Sequence, residues 1–150
     1  SEMCIRDRII DYAIVDSCGN ITNTIEKGKP FTVRMKVQMH APIEYPIFAL
    51  SIKDPKGTEI TGTNTMFEKT DFEVGPIMEI SFEQDMNLQG GEYLLSLGCT
   101  GYNGTDFTVY HRLYDVCNIT VVSDKNTVGY YDMNSKITVQ TYEGTNICRK

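Results

Sequence analysis

Two histidines, five cysteines and 20 acidic residues are the groups of this 150-residue chain that could hold a metal or move a proton. His40 and His111 are too few for a three-imidazole centre, and Cys4, Cys18, Cys99, Cys117 and Cys148 contain no C-x-x-C pair. Zinc ribbons and dithiol redox motifs both need that spacing, because two thiolates must converge on one ion or close one small ring. Asp124-Lys125-Asn126 opens like a calcium loop, but Ser135 stands at the twelfth position, where a bidentate Glu is required. The segment therefore reads as a turn. No Walker loop, G-x-G-x-x-G, G-x-S-x-G or H-E-x-x-H is present. Neither a metal nor a cofactor is expected, and no catalytic residue is assigned. A glycosidase would need one protonated and one ionised carboxylate in a shared cleft. Glu68, Asp71, Glu73 and Glu83 read instead as solvated charges, the usual state of carboxylates.

The residues suited to binding are aromatic. Nine tyrosines and six phenylalanines occur without a tryptophan, and tyrosine offers both a ring face for sugar C–H groups and a hydroxyl for hydrogen bonds. The densest cluster is Tyr102, Tyr110, His111 and Tyr114, set among Asn103, Asp106, Arg112 and Asp115. Sugar hydroxyls donate and accept together, so neutral carbohydrate recognition calls for planar groups beside amides and carboxylates. Against this stands the plainer reading that Tyr102 lies in a loop while Tyr110 and Tyr114 pack at strand ends.

The elements that must position these groups are strands. Phe31, Val33, Met35, Val37 and Met39 alternate with Thr32, Arg34, Lys36 and Gln38, the period at which side chains point to opposite faces of a sheet. Ile9 to Val15 gives an earlier strand, stopped by Asp16-Ser17-Cys18-Gly19-Asn20. Ile47 to Lys53 runs into Asp54-Pro55-Lys56-Gly57, a turn signal that predicts Thr58 to Thr63 as a returning hairpin partner. Ile77 to Phe82, Glu92 to Cys99, Phe107 to His111 and Val116 to Val122 continue the pattern, with Ile137 to Thr141 as a late edge strand. The stretches 67–76 and 123–134 read as irregular connections. About eight or nine strands at intervals near 10 residues predict an all-β antiparallel sandwich.

Composition narrows the function. With 14 basic against 20 acidic residues the net charge is −6, which opposes a broad basic face for nucleic acid or anionic lipid. The odd, widely spaced cysteines read as reduced thiols of a cytoplasmic protein, with one bridge between strands as the alternative. In that setting the sequons at Asn20, Asn103 and Asn118 are idle. Ser1 to Arg8 resembles a peptide that arises when sequencing-adapter DNA is translated. The expected boundaries are therefore a non-native leader at 1–8, the sandwich at 9–142 and a tail at 143–150, the whole being part of a longer protein.

Five stretches, in order, resemble one family. They are Phe48 to Gly57, Ile60 to Thr65, Gly90 to Gly98, His111 to Asp115 with Asn118 to Val122, and Val128 to Asp132. Over residues 9 to 141 the chain is similar to the C-terminal carbohydrate-binding domain of Wzt-type ATPase subunits, which serve ABC transporters exporting O-antigen and related surface polysaccharides. The resemblance implies an immunoglobulin-like sandwich, often dimeric, on the cytoplasmic side of the cell membrane. It also implies recognition of the end of a lipid-linked polysaccharide, and contact with the permease through an ATPase domain lying upstream. Asn64 and Thr65 match a recurrent family stretch and join Tyr102, Tyr110, His111, Tyr114 and Asp115 as expected carbohydrate contacts. Two other classes remain. One is an adhesive immunoglobulin-like domain of a surface protein, marked by a Cys99 to Cys117 bridge, and the other is a sandwich-fold glycan hydrolase.

Overall fold

Alternation in the strand Pro30–Gln38 shows how the chain is layered. Phe31, Val33, Met35 and Val37 are buried while Thr32, Arg34, Lys36 and Gln38 reach the surface, so the strand lies over a core with one face in water. In the computed structural model, which describes residues 8–40 and 43–144, this strand is the third of eight. They are β1 (Arg8–Val15), β2 (Thr24–Glu26), β3 (Pro30–Gln38), β4 (Tyr45–Lys53), β5 (Glu59–Asn64), β6 (Ile77–Asp85), β7 (Gly91–Asn103) and β8 (Asp106–Val122). A three-stranded sheet in the order β1-β3-β6 packs on a five-stranded sheet in the order β2-β8-β7-β4-β5. All pairs are antiparallel except β2 with β8. The all-β sandwich is thus the observed architecture.

The inner faces meet in a single cluster. Val33, Met35 and Val37 of β3 pack with Phe48, Leu50 and Ile52 of β4, Tyr93, Leu95 and Leu97 of β7, and Ile119 and Val121 of β8. Each fully buried side chain of this size contributes about 1.5–3 kcal/mol relative to exposure. A one-residue slip of β3 would turn its whole apolar row to water and bring Arg34 and Lys36 into the core, which fixes the register.

The β4–β5 hairpin forms as expected. Asp54 closes its turn by accepting the backbone N–H groups of Lys56 at 3.0 Å and Thr58 at 2.8 Å, and Gly57 takes a φ of +89°, open to glycine without strain. The connection after β8 crosses the far end of the sandwich. Gln89 N–H donates to the Tyr130 carbonyl, Leu88 bridges to Tyr131, and the Tyr130 hydroxyl donates to Asp54 at 2.6 Å. That bond, with the Thr58 N–H, holds the Asp54 carboxyl below its usual range and raises the Tyr130 hydroxyl.

The structure differs from the sequence reading in several places. Phe107 to His111 and Val116 to Val122 belong to one long strand, β8, because local bulges bend the chain without ending its pairing with β7. The segment from Ile137 to Thr141 is no strand within this chain. Ile137 and Val139 are 85% and 84% exposed, since alternation makes a strand only where a free edge receives it. β2 has three residues, too short to show a period. Arg8, the last residue of the expected leader, pairs with Gln38 as the first residue of β1. The rest of that leader, with Cys4, and the tail from 145 with Cys148 lie outside the described residues.

Met35→Ala is expected to lower the unfolding free energy by about 2–5 kcal/mol, because it opens a cavity between the sheets. Arg34→Ala, on the watered face of the same strand, should stay within about 0.5 kcal/mol. Urea denaturation followed by tyrosine fluorescence compares the two.

Candidate functional site

β7 runs down the middle of the five-stranded sheet, so its side chains divide strictly between two faces. Leu95, Leu97 and Cys99 pair with neighbours that enter the core, whereas Ser96, Gly98, Thr100 and Tyr102 point to the opposite face. On that face the register places Ser51 beside Ser96, Ala49 beside Gly98, Ile47 beside Thr100 and Tyr45 beside Tyr102. From β8 it adds Arg112 beside Gly98, Val109 beside Thr100 and Phe107 beside Tyr102. No strand of the three-stranded sheet lies on this side. A floor of small residues is therefore edged by long or aromatic ones.

Two bulges in β8 decide which members of the Tyr102–Tyr114 cluster reach this face. Cys99 pairs with His111 and Thr100 with Val109, so Tyr110 is an extra residue between them and the parity of the strand inverts. Leu95 pairs with Cys117 and Leu97 with Leu113, which sets residues 114–116 against Ser96 alone. Asp115 takes a φ of +49° there, and its N–H donates to Ser96 Oγ at 2.8 Å. Around this second bulge the groups converge. Lys53 Nζ lies 5.6 Å from the Tyr114 ring centroid and 3.7 Å from Asp115 Oδ1, and Arg112 Nη1 donates to the Tyr114 hydroxyl at 3.4 Å. All three are contacts of modest strength near the surface, easily rearranged by a ligand. At the other end Tyr45, Tyr102 and Phe107 form a cross-strand aromatic row, with the Tyr102 and Phe107 centroids 5.2 Å apart.

The expected contacts thus separate. Tyr102, Tyr114 and Asp115 stand on the open face, and Asn64 lies at its β5 edge beside Ala49, in a groove of about 370 Å³ that Ser51, Gly62 and Phe67 also line. Its Oδ1 caps the next turn by accepting the Phe67 N–H at 2.7 Å. Thr65 is buried, and its Oγ1 accepts the Phe48 N–H at 3.1 Å. Tyr110 packs partly against the core, its hydroxyl accepting from Asn103 Nδ2 at 3.1 Å. His111 shares the inner side with Cys99, and its Nδ1 accepts the Ile9 N–H at 2.9 Å. Burial, and then the Arg8 charge, lowers the pKa of His111. Thr65 and His111 therefore hold the fold instead of facing a ligand. Lys53, Ser51, Ile47 and Tyr45 of β4 escaped sequence reasoning, since only cross-strand register brings them beside the tyrosine cluster.

A second concavity of about 520 Å³ lies at the end of the sandwich, between Lys27, Asp85, Asn87, Lys125 and Asp132. Its charges serve the fold. Lys27 Nζ donates to Gln89 Oε1 at 2.8 Å and the Lys125 carbonyl at 2.6 Å, and it lies 2.7 Å from Asp132 Oδ2. The Lys27 ammonium, with the Asn134 N–H and Lys125, holds the Asp132 carboxyl down at about 2. Lys27 precedes β3 and Asp132 follows β8, so the pair latches the closing segment onto the sandwich. Among the described residues no group of three or more His, Cys, Asp or Glu side chains is arranged to hold a metal ion, and no helix is long and apolar enough to cross a membrane. Cys99 pairs with His111 and Cys117 with Leu95. Four strand positions, about 13 Å, separate the two cysteines, beyond the reach of the bridge that would mark an adhesive domain.

A two-sheet sandwich of three and five strands defines a class of β-domain, and comparison with known proteins makes it particular. The sequence matches the Wzt C-terminal domain family over residues 6–133, and the chain belongs to that family. The solved structure described as the crystal structure of the C-terminal domain of wzt superposes with a TM-score of 0.81 at 25% identity, covering 89% of this chain and 84% of the other. A search of curated proteins finds no match. The family stretch Val128 to Asp132 coincides with the closing segment that bonds to Asp54, Gln89 and Lys27, so its residues can be understood as a structural strap.

The His111 geometry has a pH consequence. Its folded pKa lies below the ordinary 6.5, so the folded state favours neutral imidazole. The stabilisation is complete above pH 6.5 and is lost as pH falls through the folded value. Thermal denaturation is expected to show Tm falling below pH 6.5, and His111→Gln should flatten that part of the profile.

Proposed function

We propose that this domain is the non-catalytic polysaccharide-binding module of an ABC exporter's ATPase subunit, recognising the end of a lipid-linked surface polysaccharide such as O-antigen before export. The observation that carries the reading is the open face of the five-stranded sheet in a chain of the Wzt C-terminal domain family. Tyr102, Tyr114 and Asp115 are its contacts from the expected set, with Asn64 at the edge and Tyr110 behind the hairpin tip. Exposed rings beside hydroxyl, carboxylate and guanidinium groups match the mixed C–H and O–H surface of a sugar. A flat, watered face suits a polymer that must be released after inspection, because shallow sites hold ligands by few desolvated contacts. The module works at the cytoplasmic side of the membrane, joined to the permease through its ATPase domain. Its contribution is affinity for the finished polymer, which couples export to chain completion.

Titration calorimetry with lipid-free surface polysaccharide of the source strain should show saturable binding. Tyr114→Ala should weaken it about 10-fold, the worth of one stacked ring, with Tm unchanged because Tyr114 is 65% exposed. A folded domain that binds no polymer end would overturn the assignment.

The domain also acts as a homodimer in this proposal. Ile137 and Val139 alternate with polar residues, Tyr142 follows three positions on, and all three stand largely exposed with no strand partner among the described residues. A second copy offers the free sheet edge such a segment needs. Light scattering should give a dimer for the full chain and a monomer for the Ile137→Asp/Val139→Asp variant.

A further inference from the structure

The tip of the β7–β8 hairpin carries the one Asn-Gly pair in the sequence, Asn103-Gly104. Asparagine is thermolabile, because the backbone nitrogen of the next residue can attack its side-chain amide. Glycine in that place, lacking a Cβ, opposes the approach least. Asn103 pairs with Asp106 at the end of the hairpin, Gly104 takes a φ of +63° in the turn, and both residues are exposed to water. Yet all three groups of that reaction are tied. The Glu44 N–H, just ahead of β4, donates to Asn103 Oδ1 at 2.8 Å, and Asn103 Nδ2 donates to the Tyr110 hydroxyl at 3.1 Å. The Gly104 N–H donates to Glu44 Oε2 at 2.7 Å. A single residue, Glu44, thus grips the electrophile through its backbone and the nucleophile through its carboxylate.

We infer that Asn103 is a deamidation site latched by Glu44, converting to aspartate or isoaspartate when the hairpin tip lets go. In the first step the Gly104 nitrogen bonds to Asn103 Cγ, the Cγ–Nδ2 bond breaks, and Nδ2 leaves as ammonia with the proton that Gly104 gives up. Water then opens the five-membered imide, so no other reactant is needed. The Glu44 carboxylate opposes the first step twice over. It holds the N–H that must be lost in a charge-assisted hydrogen bond, and its charge repels the amide anion that forms. The bond from Nδ2 to Tyr110 is lost outright when ammonia leaves. Afterwards the tip cannot close as before. Isoaspartate lengthens the backbone by one carbon between Tyr102 and Gly104, so the pairing with Asp106 and the Gly104 bond to Glu44 cannot both survive. Aspartate sets a second carboxylate beside that of Glu44, a like-charge contact in place of a neutral one.

Peptide mass spectrometry and an isoaspartate assay, over a time course in mildly alkaline buffer, follow the conversion at Asn103. The folded chain should convert about 10-fold more slowly than the same chain unfolded in guanidinium chloride, the worth of one hydrogen bond to a charged group. Glu44→Ala should recover most of that difference with Tm near wild type, since Glu44 is exposed. Glu44→Gln keeps a neutral acceptor and should recover part of it, and it takes the place of Glu44→Ala if that variant does not fold. Folded wild type converting at the unfolded rate, or neither folded variant converting faster than wild type, would overturn the latch. Neither result bears on the carbohydrate reading.

Discussion

β7 is the strand against which the rest of the molecule is registered. It pairs with β4 along one edge and with β8 along the other, and because its side chains alternate, every core position on it implies a surface position beside it. Leu95, Leu97 and Cys99 settle the packing of the sandwich, and in doing so they settle that Ser96, Gly98 and Thr100 form the floor of the opposite face. Core and candidate site are therefore not separate achievements of the sequence. A shift that harmed one would harm the other.

The asymmetry of three strands against five needs no covering layer, because the outer face of the larger sheet is built differently from its inner one. Small side chains and hydroxyls line the centre, and charged or aromatic groups stand at both ends. Bulges do the remaining work. The extra residue at Tyr110 turns His111 inward to accept the Ile9 N–H, so the small sheet's first strand is tied to the large sheet. The positive φ at Asp115 brings its N–H onto Ser96 and its carboxylate toward Lys53. One irregularity strengthens the fold and the other shapes the surface, consistent with the tendency of bulges to re-aim side chains near functional sites.

Much of the architecture was legible from alternation. The apolar row of β3 and the Asp54-Pro55-Lys56-Gly57 turn carry their structure locally, and both appear as expected. Ile137 to Thr141 shows the limit of that reading, because periodicity states that a segment can form a strand, while the existence of a receiving edge is a property of the whole assembly. The same limit applies to the candidate site. Tyr102, Tyr114 and Asp115 announce themselves by residue type, yet counting by twos from Phe107 and Val109 puts His111 on the wrong side, since one inserted residue cannot be seen in the pattern. Tyr45, Ile47, Lys53 and Thr100 were hidden for a different reason. Their meaning depends on which strands are neighbours, and β4 meets β7 only after two other strands have intervened in the chain.

The parallel pairing of β2 with β8 joins Thr24 to Thr120, almost the length of the domain away. The strap carrying Tyr130 and Asp132 closes on Asp54 and Lys27 at similar remove. Contacts of such long range are formed late and slowly, because the intervening loop must be closed before they are rewarded. During synthesis the first six strands leave the ribosome with exposed edges and no completed second sheet. Order arrives nearly at once when residues 106 to 132 emerge. The domain is thus a late and cooperative folder, dependent on prompt completion of its own translation to avoid aggregation.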